Sequence, residues 1–178
     1  GQKLSIVDAE GNDQSTNIPI GTTNTIHHCL ETTQFKTSMK SALNNDTSYR
    51  ADIHKGTLPL RGLNISRLIG VGTAITTATN KFSNKRQHGT ELTRSNLTQQ
   101  QRELAQGLIE EFPFIDDYKR KLNNLPTDSK GYRRLRERMV KYFGIKMLLH
   151  IMELLDCPSV TVNGMGVRYG ICHQMIEE

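Results

Sequence analysis

Apolar residues recur at every fourth position along one stretch of the chain, the spacing that places side chains on one face of an α-helix. The stretch runs from Gly131 to Leu155 and ends before Cys157-Pro158. Its repeating apolar positions are Leu135, Met139, Phe143, Met147, Ile151 and Leu155. The pattern predicts a long helix whose continuous apolar face belongs to the protein core.

Shorter helical patterns occur on both sides of this one. They predict helices over 22–30, 35–43, 74–82, 116–122 and 167–178, and one from Ser95 or Asn96 to Glu111 that Phe112-Pro113-Phe114 ends. Asn44 to Ser48, in the stretch before Leu60, has no periodicity and is predicted as a loop. The polar stretch 84–93 is predicted as irregular, with a turn at His88-Gly89.

Short β-branched runs predict four strands. Residues 4–7 and 15–20 flank a turn-rich cluster and predict an antiparallel hairpin, and 66–69 and 159–163 predict two later strands separated by helices. Strands separated by helices after a hairpin favour an α/β fold with a mixed sheet. The chain is 178 residues long, contains no internal repeat, and is predicted to form a single domain over 1–178.

Composition narrows the class of protein. The chain is 35% hydrophobic and 23% charged, enough apolar residues for one core, and no apolar run approaches the roughly 20 residues that a bilayer requires. The three cysteines, Cys29, Cys157 and Cys172, are too few and too widely spaced for a disulfide framework. We therefore expect a cytoplasmic protein with no membrane partner. The start at Gly1, without Met, leads us to expect a fragment of a longer protein.

Positive charge is concentrated in one segment. From Tyr118 to Lys146 ten Lys or Arg residues stand against two acidic residues, a net charge of +8 within a chain of +5. The densest part of this basic segment contains Arg133, Arg134, Arg136, Arg138 and Lys141. Such a cluster indicates either a docking surface for a polyanion or the solvated face of an amphipathic helix.

Two glycine-containing turns follow predicted strands. Gly70-Val71-Gly72-Thr73 precedes a predicted helix, the place where backbone N–H groups meet phosphate, although a plain tight turn fits equally well. Gly164-Met165-Gly166 is followed by Arg168 in the first turn of the predicted last helix. A cation there opposes the helix dipole unless an anion faces it, so Arg168 indicates an anion site or a pair with a neighbouring carboxylate.

Other chemistries find no support in the residue pattern. The histidines do not occur at the spacing of zinc ligands, so no metal site is predicted. The Gly-x-Ser-x-Gly elbow of serine hydrolases is missing from the sequence.

The order of these features resembles the second domain of the Ppx/GppA family, the exopolyphosphatases and guanosine pentaphosphate phosphohydrolases. The resemblance rests on the strand at Leu4 to Val7 with Asp8, the strand end at Ile18-Pro19-Ile20-Gly21, the Gly70-Val71-Gly72-Thr73-Ala74 loop, and His88-Gly89 with Leu92-Thr93 before a helix. It ends at the strand and turn from Val160 to Gly170, which is similar to the family's strand followed by "GLREG".

The resemblance implies an actin-like, ribonuclease H-like domain with helices on both faces of its sheet. It implies hydrolysis of a terminal phosphoanhydride in polyphosphate or pppGpp, with Mg²⁺, in a cleft shared with an N-terminal domain of the same protein. Gly70, Gly72, Thr73 and Arg168 would then contact phosphate or nucleotide. The basic residues from Arg133 to Lys141 would guide a polyanion. The catalytic residue and most Mg²⁺ ligands would lie in the preceding domain, and a homodimer is a further expectation.

Two other functions are kept as alternatives. The first is a catalytically silent sensor of a nucleotide or polyanion with the same fold, because Ile69 and Val71 occupy positions where the family usually has glycine. The second is a basic nucleic-acid-binding module. Sparse aromatic residues and the lack of a recognisable nucleic-acid-binding motif argue against that second reading.

Overall fold

The computed structural model describes residues 2–18, 22–32, 36–45, 47–71 and 89–163. Five strands form one mixed sheet: β1 (Gln2–Asp8), β2 (Asp13–Ile18), β3 (Ile65–Val71), β4 (Glu91–Thr93) and β5 (Ser159–Asn163). Their order across the sheet is β2-β1-β3-β5-β4. The predicted α/β class with a mixed sheet is confirmed.

Six α-helices accompany the sheet in the described part of the chain. They are α1 (Thr22–Thr32), α2 (Met39–Asn44), α3 (Thr47–Thr57), α4 (Arg94–Glu111), α5 (Ile115–Asn123) and α6 (Lys130–Leu154), and a single 3₁₀ turn, Leu58–Leu60, follows α3. The predicted helices 74–82 and 167–178 lie outside the described residues.

The core joins the long helix α6, the helices packed around it and one face of the sheet. The predicted apolar face of α6 is confirmed: Met139, Phe143 and Met147 are fully buried. Alternate strand residues such as Leu68 and Val162 belong to the same cluster of buried residues. Each fully buried large apolar side chain in this cluster contributes roughly 1.5 to 3 kcal/mol to folding.

The loop predicted at Asn44 to Ser48 is shorter than expected, because α2 ends at Asn44 and α3 begins at Thr47. Tyr49 and Ile53, one helical turn apart, are its large buried side chains, and the buried Thr57 donates its hydroxyl hydrogen bond to the Ile53 carbonyl at 2.9 Å. Two large apolar residues are too few to produce a visible period in the sequence. Contacts of α3 with α6 and β2 stabilise this helix, because the intrinsic helix propensity of its residues is not sufficient.

Two helix boundaries and one strand also differ from the prediction. The second predicted helix, 35–43, begins only at Met39, because the Ser38 side chain caps it by accepting from the Ser41 backbone N–H at 3.1 Å. The polar stretch before Arg94 contains β4, whose short length and single buried residue, Leu92, hide a strand pattern. The cap of α4 is Thr93, whereas Ser95 and Asn96 had been predicted.

Candidate functional site

Three strands of the sheet run in the same direction and end at the same edge. β1 pairs antiparallel with both β2 and β3, so β2 and β3 are codirectional, and β5 is parallel to β3. Ile18 pairs with Gln2 at the start of β1, and Val71 pairs with Asn163. We call this side, at Ile18, Val71 and Asn163, the carboxyl edge of the sheet.

The predicted glycine segments all continue from this carboxyl edge. Residues 19–21 follow β2, residues 72–88 follow β3 and residues 164–178 follow β5. In α/β sheets, ligands bind beyond the carboxyl ends of parallel strands, where loops from neighbouring strands meet. The two segments that the sequence had singled out separately therefore continue from adjacent strands at this edge.

The structure places only some of the predicted phosphate-binding residues. Gly72, Thr73 and Arg168 lie outside the described residues. The positions just before these turns, Val71 and Asn163, are paired neighbours on adjacent strands. The register thus supports a common site for the two turns, while the roles of the three residues stay predictions.

Gly70 is not part of the turn in which it had been predicted. It is a buried residue of β3 and pairs with Val162 of β5, so the strand continues through Val71 before the turn begins. A ladder of parallel pairs extends from Ile69 to Val71, and this pairing outweighs the local turn preference of glycine. Gly70 and Val71 are therefore strand residues, and the rest of the predicted turn lies outside the described residues.

Gly89 introduces β4 at the same edge. Its φ of +80° is a conformation that L side chains rarely adopt, and its N–H donates to the Val162 carbonyl at 2.8 Å. The Val162 N–H in turn donates to the Thr90 carbonyl at 2.8 Å. The predicted turn at His88-Gly89 is confirmed for Gly89, while His88 lies outside the described residues.

Asp8, which contributed to the family resemblance, lies at the opposite end of β1 from the carboxyl edge. Its carboxylate accepts the backbone N–H of Asn12 at 2.8 Å and of Glu10 at 3.0 Å. These hydrogen bonds, that of Asn12 first, lower the pKa of Asp8 below its ordinary value. In the described structure Asp8 therefore holds the turn between β1 and β2.

The basic residues lie on the first three turns of α6. Arg134 and Arg136 are exposed, and neither forms an ion pair with a described residue. Arg133 is exposed and donates to the Asp128 carbonyl at 2.8 Å. Arg138 forms an ion pair with Glu111, and Lys141 is half-buried. The predicted basic surface therefore divides into exposed arginines and one arginine that a carboxylate already neutralises.

Glu111 organises the junction of three helices. The Lys121 ammonium of α5 donates to it at 2.7 Å, and the Arg138 guanidinium of α6 approaches its other oxygen. The hydrogen bond from Lys121, followed by that from Arg138, holds the pKa of Glu111 below its ordinary value. Sequence reasoning missed this residue, since nothing local indicates that the end of α4 meets α5 and α6.

Metal and membrane features were sought in the described ranges. No group of three or more His, Cys, Asp or Glu side chains there is arranged to hold a metal ion. None of the described helices is long and apolar enough to cross a bilayer.

Comparison with known proteins shows that the fold of this chain is similar to that of solved structures. No protein-family model matches the chain, and no curated protein is significantly similar to it in sequence. The crystal structure of a Ppx/GppA family member from Aquifex aeolicus matches with a TM-score of 0.57 and 18% identity, over 93% of this chain. The type II variant of the Aquifex aeolicus Ppx/GppA phosphatase matches with a TM-score of 0.56 and 18% identity, over 90% of this chain.

The matched region is 48% of each of those two structures, so the chain spans about half their length. Both solved neighbours belong to the Ppx/GppA family, and the resemblance predicted from the glycine turns is confirmed at the level of the fold. Identity this low establishes shared architecture, whereas activity has to be argued from the site.

Proposed function

We propose that the chain is the C-terminal, actin-like domain of a phosphoanhydride hydrolase that releases the terminal phosphate of polyphosphate or pppGpp. The observation that carries the proposal is the carboxyl edge. The segments that contain the two predicted glycine turns continue from β3 and β5, and Val71 pairs with Asn163 where these two strands end. The likeness in fold to Ppx/GppA structures supports the same reading.

The chemistry of the edge suits phosphate binding. Glycines allow close approach to the backbone, and its N–H groups stabilise phosphate oxygens without a bulky side chain. In the proposal, Gly72 and Thr73 form one wall of the site and Arg168 neutralises negative charge from the next strand. Transfer of a phosphoryl group to water is accelerated mainly by such positioning and charge stabilisation.

The rest of the catalytic apparatus belongs to a preceding domain in this proposal. Mg²⁺ would neutralise charge on the phosphates, and most of its ligands, like the residue that activates water, would come from that domain. Gly70 is buried within β3, next to the start of this wall, and its contact with phosphate stays a prediction. The exposed Arg133, Arg134 and Arg136 would guide the polyanion toward the cleft, with Lys141 at the end of the same surface.

The test is phosphate release by the longest native form of the protein. We expect Mg²⁺-dependent release from polyphosphate or pppGpp. We also expect Arg168→Ala to lower kcat/KM on the order of tenfold or more, because one charge-stabilising contact at a transferred phosphate contributes at least about 1.4 kcal/mol. The control is Lys85→Ala, which also removes one positive charge. No release from either substrate sinks the proposal, and equal effects of the two substitutions assign Arg168 a structural role.

A second candidate is a silent sensor of the same ligands. It is favoured by the position of Gly70 inside the strand, which leaves Gly72 as the one glycine of the sequence Gly70-Val71-Gly72-Thr73 that follows β3. A sensor binds pppGpp or polyphosphate tightly without turnover in the native protein. Measurable turnover eliminates it.

A further inference from the structure

A groove of about 440 Å³ lies between the end of α4 and α5. The end of α4 contributes Glu111 and Phe112 to its lining. The other lining residues come from α5 and the loop after it: Asp117, Arg120, Lys121, Asn124 and Leu125. Those of α5 are three or four residues apart, so they lie on one face of the helix. The groove is therefore formed by packed helices, away from the strands of the sheet.

The floor of the groove is apolar. Phe112 is 3% exposed, and its ring packs edge-on against Tyr118 with the ring centroids 5.5 Å apart. Leu125 is half-buried and packs against the core cluster. An apolar side chain placed in the groove removes the remaining surface of these residues from water, whereas an inorganic polyanion gains nothing from such a floor.

Positive charge exceeds negative charge around this floor. Glu111 accepts from Lys121 at 2.7 Å and pairs with Arg138, and Asp117 approaches Arg120 at 3.5 Å. Both carboxylates of the lining are therefore engaged with cations. Three cations stand against two carboxylates, so the groove carries an excess positive charge.

Two arginines at the rim are available to a ligand. The side chain of Arg120 is 72% exposed, and such an exposed, long ion pair contributes little to stability. Arg134 is exposed, lies one turn before Arg138 on the same face of α6, and forms no ion pair with a described residue. Cations around an apolar floor complement a segment that carries carboxylates around a large apolar side chain.

We infer that this groove is a docking site for an acidic peptide segment of a partner protein. One leucine or phenylalanine side chain of that segment lies against Leu125 and Phe112, and the carboxylates beside it pair with Arg120 and Arg134. A protein segment suits the groove better than polyphosphate, because only an organic side chain gains free energy from the apolar floor. The inference does not depend on the proposed hydrolase activity, since the groove lies among the helices and not at the carboxyl edge.

The experiment measures binding of fluorescein-labelled peptides to the full chain by fluorescence anisotropy. The first probe has a central Leu-Phe pair with acidic residues on both sides, and the second has Ser-Ser in place of that pair. We expect the first probe to bind at least about tenfold more tightly than the second, because burial of an apolar side chain stabilises its complex.

Substitutions locate the binding site of the first probe. Leu125→Asp is expected to weaken binding at least about tenfold, because it places a carboxylate beside the apolar side chain and the acidic residues of the peptide. Arg120→Ser is expected to weaken binding several-fold and to reduce its dependence on salt. The matched control is Arg102→Ser, an exposed arginine of α4 outside the groove, which should leave the affinity unchanged.

Far-UV circular dichroism verifies that each variant is folded. Should Leu125→Asp unfold the chain, the comparison of the two probes and of Arg120→Ser with Arg102→Ser still decides the matter, because both arginines are exposed.

Several outcomes overturn the inference. Equal affinity for the two probes assigns the attraction to charge alone. Equal effects of Arg120→Ser and Arg102→Ser place the peptide elsewhere on the surface. Failure of the first probe to saturate excludes an acidic peptide as the occupant. If sedimentation equilibrium then shows a dimer that Leu125→Asp dissociates, the occupant is a second copy of the chain.

Discussion

At the scale of single residues, the charges of the basic segment are not equivalent. Arg138 and Lys121 share the carboxylate of Glu111, which is 37% exposed at its side chain. Arg134 and Arg136 face solvent without a carboxylate in the described part of the chain. Sequence counting assigns all of them the same charge, whereas the structure divides them into cations that hold helices together and cations that are available to a ligand.

Glu111→Gln is expected to lower the free energy of unfolding by about 1 kcal/mol near pH 7, because it removes the charge that faces Lys121 and Arg138. The folded-state pKa of Glu111 is lowered, so its stabilisation is present above the ordinary value of 4.5 and is lost as pH falls through the lowered pKa. Urea unfolding of both proteins from pH 7 down to pH 3 checks this: their stabilities should converge in acid.

Glu110→Gln is the control for that measurement. Glu110 is exposed and accepts a hydrogen bond from the neutral Gln106 side chain at 2.7 Å, so its substitution should cost less at pH 7. A Glu111→Gln penalty that is independent of pH would contradict the ion-pair account.

At the scale of elements, helix ends depend on residues that belong to neighbouring elements. Thr93 is the last residue of β4 and also the N-cap of α4, in a capping box with Asn96. The next residue, Arg94, donates to the carbonyls of Met152 at 2.6 Å and Cys157 at 2.8 Å, next to the end of α6. Two adjacent residues thus fasten β4, α4 and α6 to each other.

Thr93→Ala is expected to destabilise the protein by about 1 kcal/mol, because the N-terminal N–H groups of α4 lose their acceptor. For a chain of this size that corresponds to a fall in Tm of roughly 2–4 °C. Differential scanning calorimetry measures it, with Ser95→Ala as the control. A Ser95→Ala penalty equal to that of Thr93→Ala would show that the helix is capped where the sequence pattern had predicted.

At the scale of the whole molecule, sheet direction creates the candidate site. β2, β3 and β5 are far apart in the sequence, but they end at one edge because β1 lies antiparallel between the first two and β5 adds in parallel. The basic surface of α6 is a separate feature of the same domain. In the proposed function the edge binds the reacting phosphates, and the surface attracts the remainder of a polyanion.

The paired substitution Arg134→Ala with Arg136→Ala is expected to weaken polyphosphate binding several-fold. It should also reduce the slope of log affinity against log salt by roughly 1 to 2, since each lost phosphate contact removes one released counterion. Titration at several NaCl concentrations measures both quantities. Arg138→Ala should alter the slope less, because Glu111 already neutralises that charge. Equal slopes for all three proteins would exclude this surface as a polyanion site.

The sequence by itself determined the elements with a strong period and the resemblance in fold to Ppx/GppA structures. The four-residue repeat from Leu135 to Leu155 specifies α6, and alternation with clear boundaries specifies β5. It also located Arg168 and the glycine turns as candidates for phosphate chemistry, because those residue types have a local reason to be there. Periodicity and turn chemistry are local properties, so one chain suffices to read them.

Tertiary structure alone decided the rest. α3 exists because Tyr49 and Ile53 are buried against distant elements, and Gly70 is a strand residue because β5 supplies its partner. Glu111 meets Lys121 and Arg138 only after three helices pack. The convergence of Ile18, Val71 and Asn163 on one edge follows from strand order and direction, which no local pattern encodes. These features depend on contacts between residues distant in sequence, whose free energy is realised only when the chain folds.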